Sequence, residues 1–69
     1  MNAGEGRLCD YFANRSGSFF RALFDAALKA DSFNLAKLAL GFPEEADAVK
    51  RYQQEEGYWD RLNSEYEAG

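Results

Sequence analysis

The sequence predicts an all-α fold, a compact bundle of three to four short helices, and three observations point to it. The 69 residues contain no Ile and no Thr, and Val49 is the only β-branched residue, whereas strands are built from β-branched and aromatic side chains. Eleven Ala and seven Leu stand beside many Glu, Lys, Arg and Gln, the strong helix formers. Apolar residues also recur at intervals of three and four between start and stop signals. A chain of this length supports a single core worth about 3–5 kcal/mol. Aromatic residues make up 16% of it, and each buries about 150–250 Å² when enclosed.

Residues 1–17 read as a flexible or loosely packed N-terminal arm, and residues 18–69 as one helical domain. Met1 to Gly6 is polar and glycine-rich, which predicts disorder. Leu8, Tyr11 and Phe12 share a helical spacing, so this part of the arm is expected to pack on the body. Asn14 to Gly17 reads as a turn, and Ser18 or Ser16 as the N-cap of a helix from about Phe19 to Lys29. Its apolar stripe includes Phe20, Leu23, Phe24, Ala27 and Leu28.

Asp31 caps a second helix, about Ser32 to Leu40, and Gly41 is expected to close it in a left-handed conformation. Pro43 suits the first position of a third helix, about Pro43 to Glu55. Glu44, Glu45 and Asp47 crowd its first turn, where the helix dipole favours negative charge. Gly57 stops it, and Tyr58-Trp59 opens a last segment whose packed face is Trp59, Leu62 and Tyr66. Leu23, Phe24, Leu38, Val49 and Trp59 are the expected core, each being the central apolar residue of its segment.

The residue types narrow the chemistry. With no His, the commonest general base and metal ligand is missing. The single Cys9 has neither a disulfide partner nor an activating base. No phosphate-binding glycine loop, zinc spacing or calcium loop is present. Glu44 with Asp47 and Glu56 with Asp60 are carboxylate pairs, but capping and solvation explain both. The chain is therefore read as a non-enzyme with no cofactor and no metal. It has no apolar run long enough for a membrane span and no signal-peptide core at its start, so it is read as cytoplasmic.

Charge is unevenly spread. Residues 1–41 carry a net +1 and residues 42–69 a net −5. This disfavours direct nucleic-acid binding, which needs clustered Lys and Arg. It makes Glu44, Glu45, Asp47, Glu55, Glu56 and Asp60, with Tyr58 at their edge, the candidate face for binding a partner protein with a basic surface. Glu55 and Glu56 stand out, because negative charge is disfavoured at a helix C-terminus by about 0.3–1 kcal/mol.

From Phe20 to Leu62 the chain resembles a group of small proteins encoded by phages and prophages. The resemblance rests on Leu23-Phe24, Ala30-Asp31, Asn34, Lys37-Leu38 and chiefly Gly41-Phe42-Pro43-Glu44-Glu45. It continues through Ala48-Val49, Arg51-Tyr52 and Gly57-Tyr58-Trp59. It implies an origin on a mobile element and action in a bacterial cytoplasm, and it brings no catalytic residue with it. The expected function is a non-enzymatic interaction protein, for example an inhibitor of bacterial defence of the anti-CRISPR kind. Its acidic half would then fill a basic, nucleic-acid-binding groove of the target. The alternative is a phage structural or assembly accessory that self-associates, as a homodimer for instance, through Phe12, Phe19 or Tyr58.

Overall fold

The computed structural model describes residues 1–69 and contains five helices and no strand. They are α1 (Ala3–Phe12), α2 (Ser18–Lys29), α3 (Ser32–Gly41), α4 (Pro43–Gln54) and α5 (Tyr58–Ala68). The all-α expectation holds, with one helix more than the three to four expected. No helix is long and apolar enough to cross a membrane.

The additional helix lies in the stretch read as an arm. Its start is fixed by a capping box, in which the Asn2 side chain accepts from the Glu5 N–H (2.7 Å) and Glu5 accepts from the Asn2 N–H (2.9 Å). Two of the otherwise unpaired first-turn donors are thereby satisfied. Residues 1–6 are thus not disordered here: Gly4 is buried, and Leu8 and Cys9 are 0% and 1% exposed.

α1 crosses α4, and these two helices form the hub of the bundle. α4 packs against every other helix, and α1 packs against α2, α4 and α5. Gly4 sits at the crossing. A Cβ built there would lie 2.6 Å from the Glu45 nitrogen and closer still to the Glu44 carbonyl group. Only glycine allows so close a backbone approach. Arg7, one turn further on, forms an ion pair with Glu45, and its guanidinium lies 4.6 Å from the centre of the Phe20 ring.

Two apolar clusters flank this crossing. The larger contains Leu8, Phe24, Ala27, Leu35, Ala46, Ala48 and Val49, and the smaller contains Cys9, Tyr58 and Leu62. Of the five expected core residues, Phe24 and Val49 are fully buried, while Leu23, Leu38 and Trp59 are only partly so. Tyr58, 1% exposed, takes the central place that was expected of Trp59. Adjacent helical residues point about 100° apart: α5 turns Tyr58 toward Glu5 and sets Trp59 against Phe12 and Tyr52.

The caps agree with the sequence at Asp31, which accepts from the Asn34 N–H at 2.7 Å, and at Pro43, the first residue of α4. They differ at two places. The N-cap of α2 is Gly17, with no side-chain bond, rather than Ser18 or Ser16. Gly41 is not left-handed: α3 continues through it and ends at Phe42, with φ −133°. Proline disfavours helical backbone in the residue before it, so Pro43 places the break at Phe42 and leaves Gly41 helical. The left-handed glycine is Gly57, with φ 80°, between α4 and α5.

Candidate interaction surface on helices 4 and 5

Of the six carboxylates read as an acidic face with Tyr58 at their edge, five are exposed, while Glu45 and Tyr58 are buried. Glu45 is 5% exposed and serves the α1–α4 crossing through Arg7. Tyr58 is buried as well. Its hydroxyl donates to Glu5 Oε2 at 2.7 Å, and the guanidinium groups of Arg51 and Arg61 lie 4.5 Å and 5.6 Å from the centre of its ring. Neither residue is available to a partner in this fold, so both are removed from the candidate face.

Glu55 is exposed but engaged. It accepts from Arg51 Nε at 2.9 Å and lies 3.5 Å from Arg61 Nη2. Its carboxyl is held below the usual range chiefly by the Arg51 hydrogen bond, and Arg51 is raised by the same bond. This pairing offsets the unfavourable position at the end of α4, so the placement needs no partner to explain it.

Glu44, Asp47, Glu56 and Asp60 remain. All four are exposed, and none has a cationic group within salt-bridge distance. Glu44 lies in the first turn of α4 and Glu56 beyond its end, with the twelve residues of α4, about 18 Å of helix, between the two ends. Glu44 and Asp47 therefore shape the field of the surface, while Glu56 and Asp60 mark its far corner.

At that corner the structure assembles three rings that the sequence reading did not group. Phe12 of α1 lies 4.8 Å from Trp59 and 5.0 Å from Tyr52, and Tyr52 and Trp59 are 5.8 Å apart between ring centres. Phe12 is 40% exposed and Tyr52 36%. The Tyr52 and Trp59 rings meet edge to face, a favoured aromatic arrangement. Beside the trio is an open depression whose lining includes Phe12, Arg15, Trp59, Asn63 and Tyr66. The local signal for this cluster was the aromatic and acidic mixture from Tyr52 to Tyr66; the contribution of Phe12 depends on where α1 lies.

No three His, Cys, Asp or Glu side chains gather as metal ligands. Cys9 is a buried free thiol, raised first by burial and further by Asp10, Glu5 and Glu65.

The Glu5–Tyr58 contact predicts a pH dependence. Burial pushes the Glu5 carboxyl up, but the Asn2 N–H, the Tyr58 hydroxyl and Arg51 outweigh it, and the net position is below the usual 4.5. Burial and the Glu5 acceptor hold the Tyr58 phenol well above its usual 10.0. A lowered carboxyl stabilises the fold above its unfolded value and loses that contribution as pH falls through the folded value. A raised phenol contributes below its unfolded value and loses that contribution as pH rises above it. The melting temperature should therefore be flat between about pH 5 and pH 9 and fall on both sides. Tyr11 and Tyr66, raised by bonds to Asp25 and Asp10, add to the alkaline limb. Tyr58→Phe should make that limb shallower in thermal melts followed by circular dichroism; an unchanged limb would contradict the assignment.

Compared with protein-family models, curated proteins and solved structures, the chain matches none.

Proposed function

We propose that this chain is a non-enzymatic interaction protein of a phage or prophage, acting in a bacterial cytoplasm on a host protein with a basic surface. Its most concrete form is an inhibitor of bacterial defence of the anti-CRISPR kind, occupying a groove where the target binds nucleic acid. The observation that supports this best is the partly exposed Phe12–Tyr52–Trp59 cluster, with the unpaired Glu56 and Asp60 close in the chain to Tyr52 and Trp59. Trp and Tyr are enriched where interfaces gain most of their energy. An arginine or lysine of the partner placed over such a ring gains about 0.5–2 kcal/mol. Glu56 and Asp60 would pair with the same cations, and the net −5 of residues 42–69 would steer the encounter.

The test is retention of bacterial proteins on the immobilised chain, compared with a Tyr52→Ala variant and a Glu56→Lys/Asp60→Lys double variant. The parent should hold a basic protein that is released as salt rises. The double variant should associate more slowly, and Tyr52→Ala should lose about 2 kcal/mol, roughly thirty-fold in affinity. A parent that retains no basic protein, or variants that retain the same one equally well, would overturn the proposal.

A further inference from the structure

The two most exposed large apolar side chains are both on α3: Phe33 at 70% and Leu40 at 88%. They are seven residues apart and so share one face. Together they expose on the order of 300 Å², the size at which an apolar patch on a monomer begins to mark an interface. The Lys37 ammonium lies 4.8 Å from the centre of the Phe33 ring, on the same stripe. Next to these projections runs an open groove of about 450 Å³ between α3 and α4, walled by Leu35, Ala36, Ala39, Pro43 and Ala46. Large projections and a small-residue groove thus lie side by side along one helix.

We propose that this face is the two-fold interface of a homodimer, in which Leu40 of each copy enters the α3–α4 groove of the other. Three observations select a second copy over a different partner. The surface carries both the projection and the recess, which is what an isologous contact requires of one patch. α3 is the one helix without an acidic residue, so two chains of net charge −4 repel least when they meet there. The groove also carries both signs of charge, with Asp47 and Lys50 on α4 and Lys37 on the neighbouring α3 stripe. A two-fold axis brings the cations of one copy toward Asp47 of the other. The groove shares no lining residue with the Phe12–Tyr52–Trp59 cluster, and the inference does not rest on the function proposed above.

The patch is small beside the roughly 1,200–2,000 Å² that stable interfaces bury, so the dimer should be reversible. Sedimentation equilibrium from about 1 μM to about 1 mM should show mass rising from 7.8 kDa toward twice that value. Leu40→Glu and, separately, Phe33→Glu should weaken association at least tenfold while leaving the helical circular dichroism signal unchanged, since both side chains already face solvent. Lys37→Glu should weaken it less. A parent that stays at the monomer mass throughout overturns the inference. A folded Leu40→Glu or Phe33→Glu variant that associates as the parent does overturns it equally.

Discussion

Phe24→Ala should leave the chain largely unfolded at room temperature. Phe24 is 0% exposed and packs among Leu8, Ala27, Leu35 and Val49, with the Tyr11 ring 5.5 Å away. Removing a buried Phe costs about 3–5 kcal/mol, the lost transfer energy plus the cavity left behind. That equals the whole stability expected of a core this size, about 3–5 kcal/mol. Three of its six partners in the cluster, Ala27, Ala46 and Ala48, are Ala, which cannot reach in to fill the space. Leu23→Ala, one residue away but only partly buried, should cost much less. Thermal melts of the two variants separate the cases. A Phe24→Ala protein melting within a few degrees of the parent would show that the core is not built around this ring.

The second large effect concerns Gly4, where two physical arguments give opposite signs. In an exposed helix or a free arm, Gly→Ala stabilises by about 0.5–1 kcal/mol, because Ala is the better helix former. At the α1–α4 crossing the added Cβ meets the backbone of Glu44 and Glu45, which cannot turn aside as a side chain could. Overpacking of this kind costs about 1–3 kcal/mol or more. It would also pull on the Arg7–Glu45 pair and the Glu5–Tyr58 bond. Gly4→Ala should therefore lower the melting temperature. Gly6 is the internal control: beyond its own turn of helix, the nearest atom to a Cβ there is the Met1 sulfur, 4.0 Å away. Gly6→Ala should raise the melting temperature, and a rise for both variants would mean that α1 does not press on α4.

What could be read in the sequence was what neighbouring residues decide. Asp31 as a cap and Pro43 as a helix start depend on bonds within one turn, and both hold. Phe24 and Val49 were legible as core because each centres an apolar stripe. The start of α1 carried a local signal too, Asn2 followed three residues later by Glu5, but Gly4 and Gly6 pointed toward disorder. Gly4 is required by α4, forty residues away, and no local pattern announces that. The exchange of Tyr58 for Trp59 has the same origin. Which ring turns inward depends on Glu5, and Glu5 is in place only because α1 is a packed helix. Gly41 shows a local rule overriding another, since the effect of Pro43 on Phe42 decides where α3 ends. The candidate surface was legible as an acidic half and as a Tyr-Trp segment. Its division into buried Glu45 and Tyr58, arginine-bound Glu55 and unpaired Glu56 and Asp60 required the positions of Arg7, Arg51 and Arg61.

The most direct test of the interaction surface uses the emission of Trp59, the only tryptophan in the chain. It touches both Phe12 and Tyr52, so a partner settling on the cluster changes its surroundings. Titration of the parent with the basic protein it retains should give a saturable change in Trp59 emission, weakened by salt and shifted to higher concentration in the Glu56→Lys/Asp60→Lys variant. Binding that leaves the emission of Trp59 unaltered, or that is indifferent to both salt and the double substitution, would contradict the account.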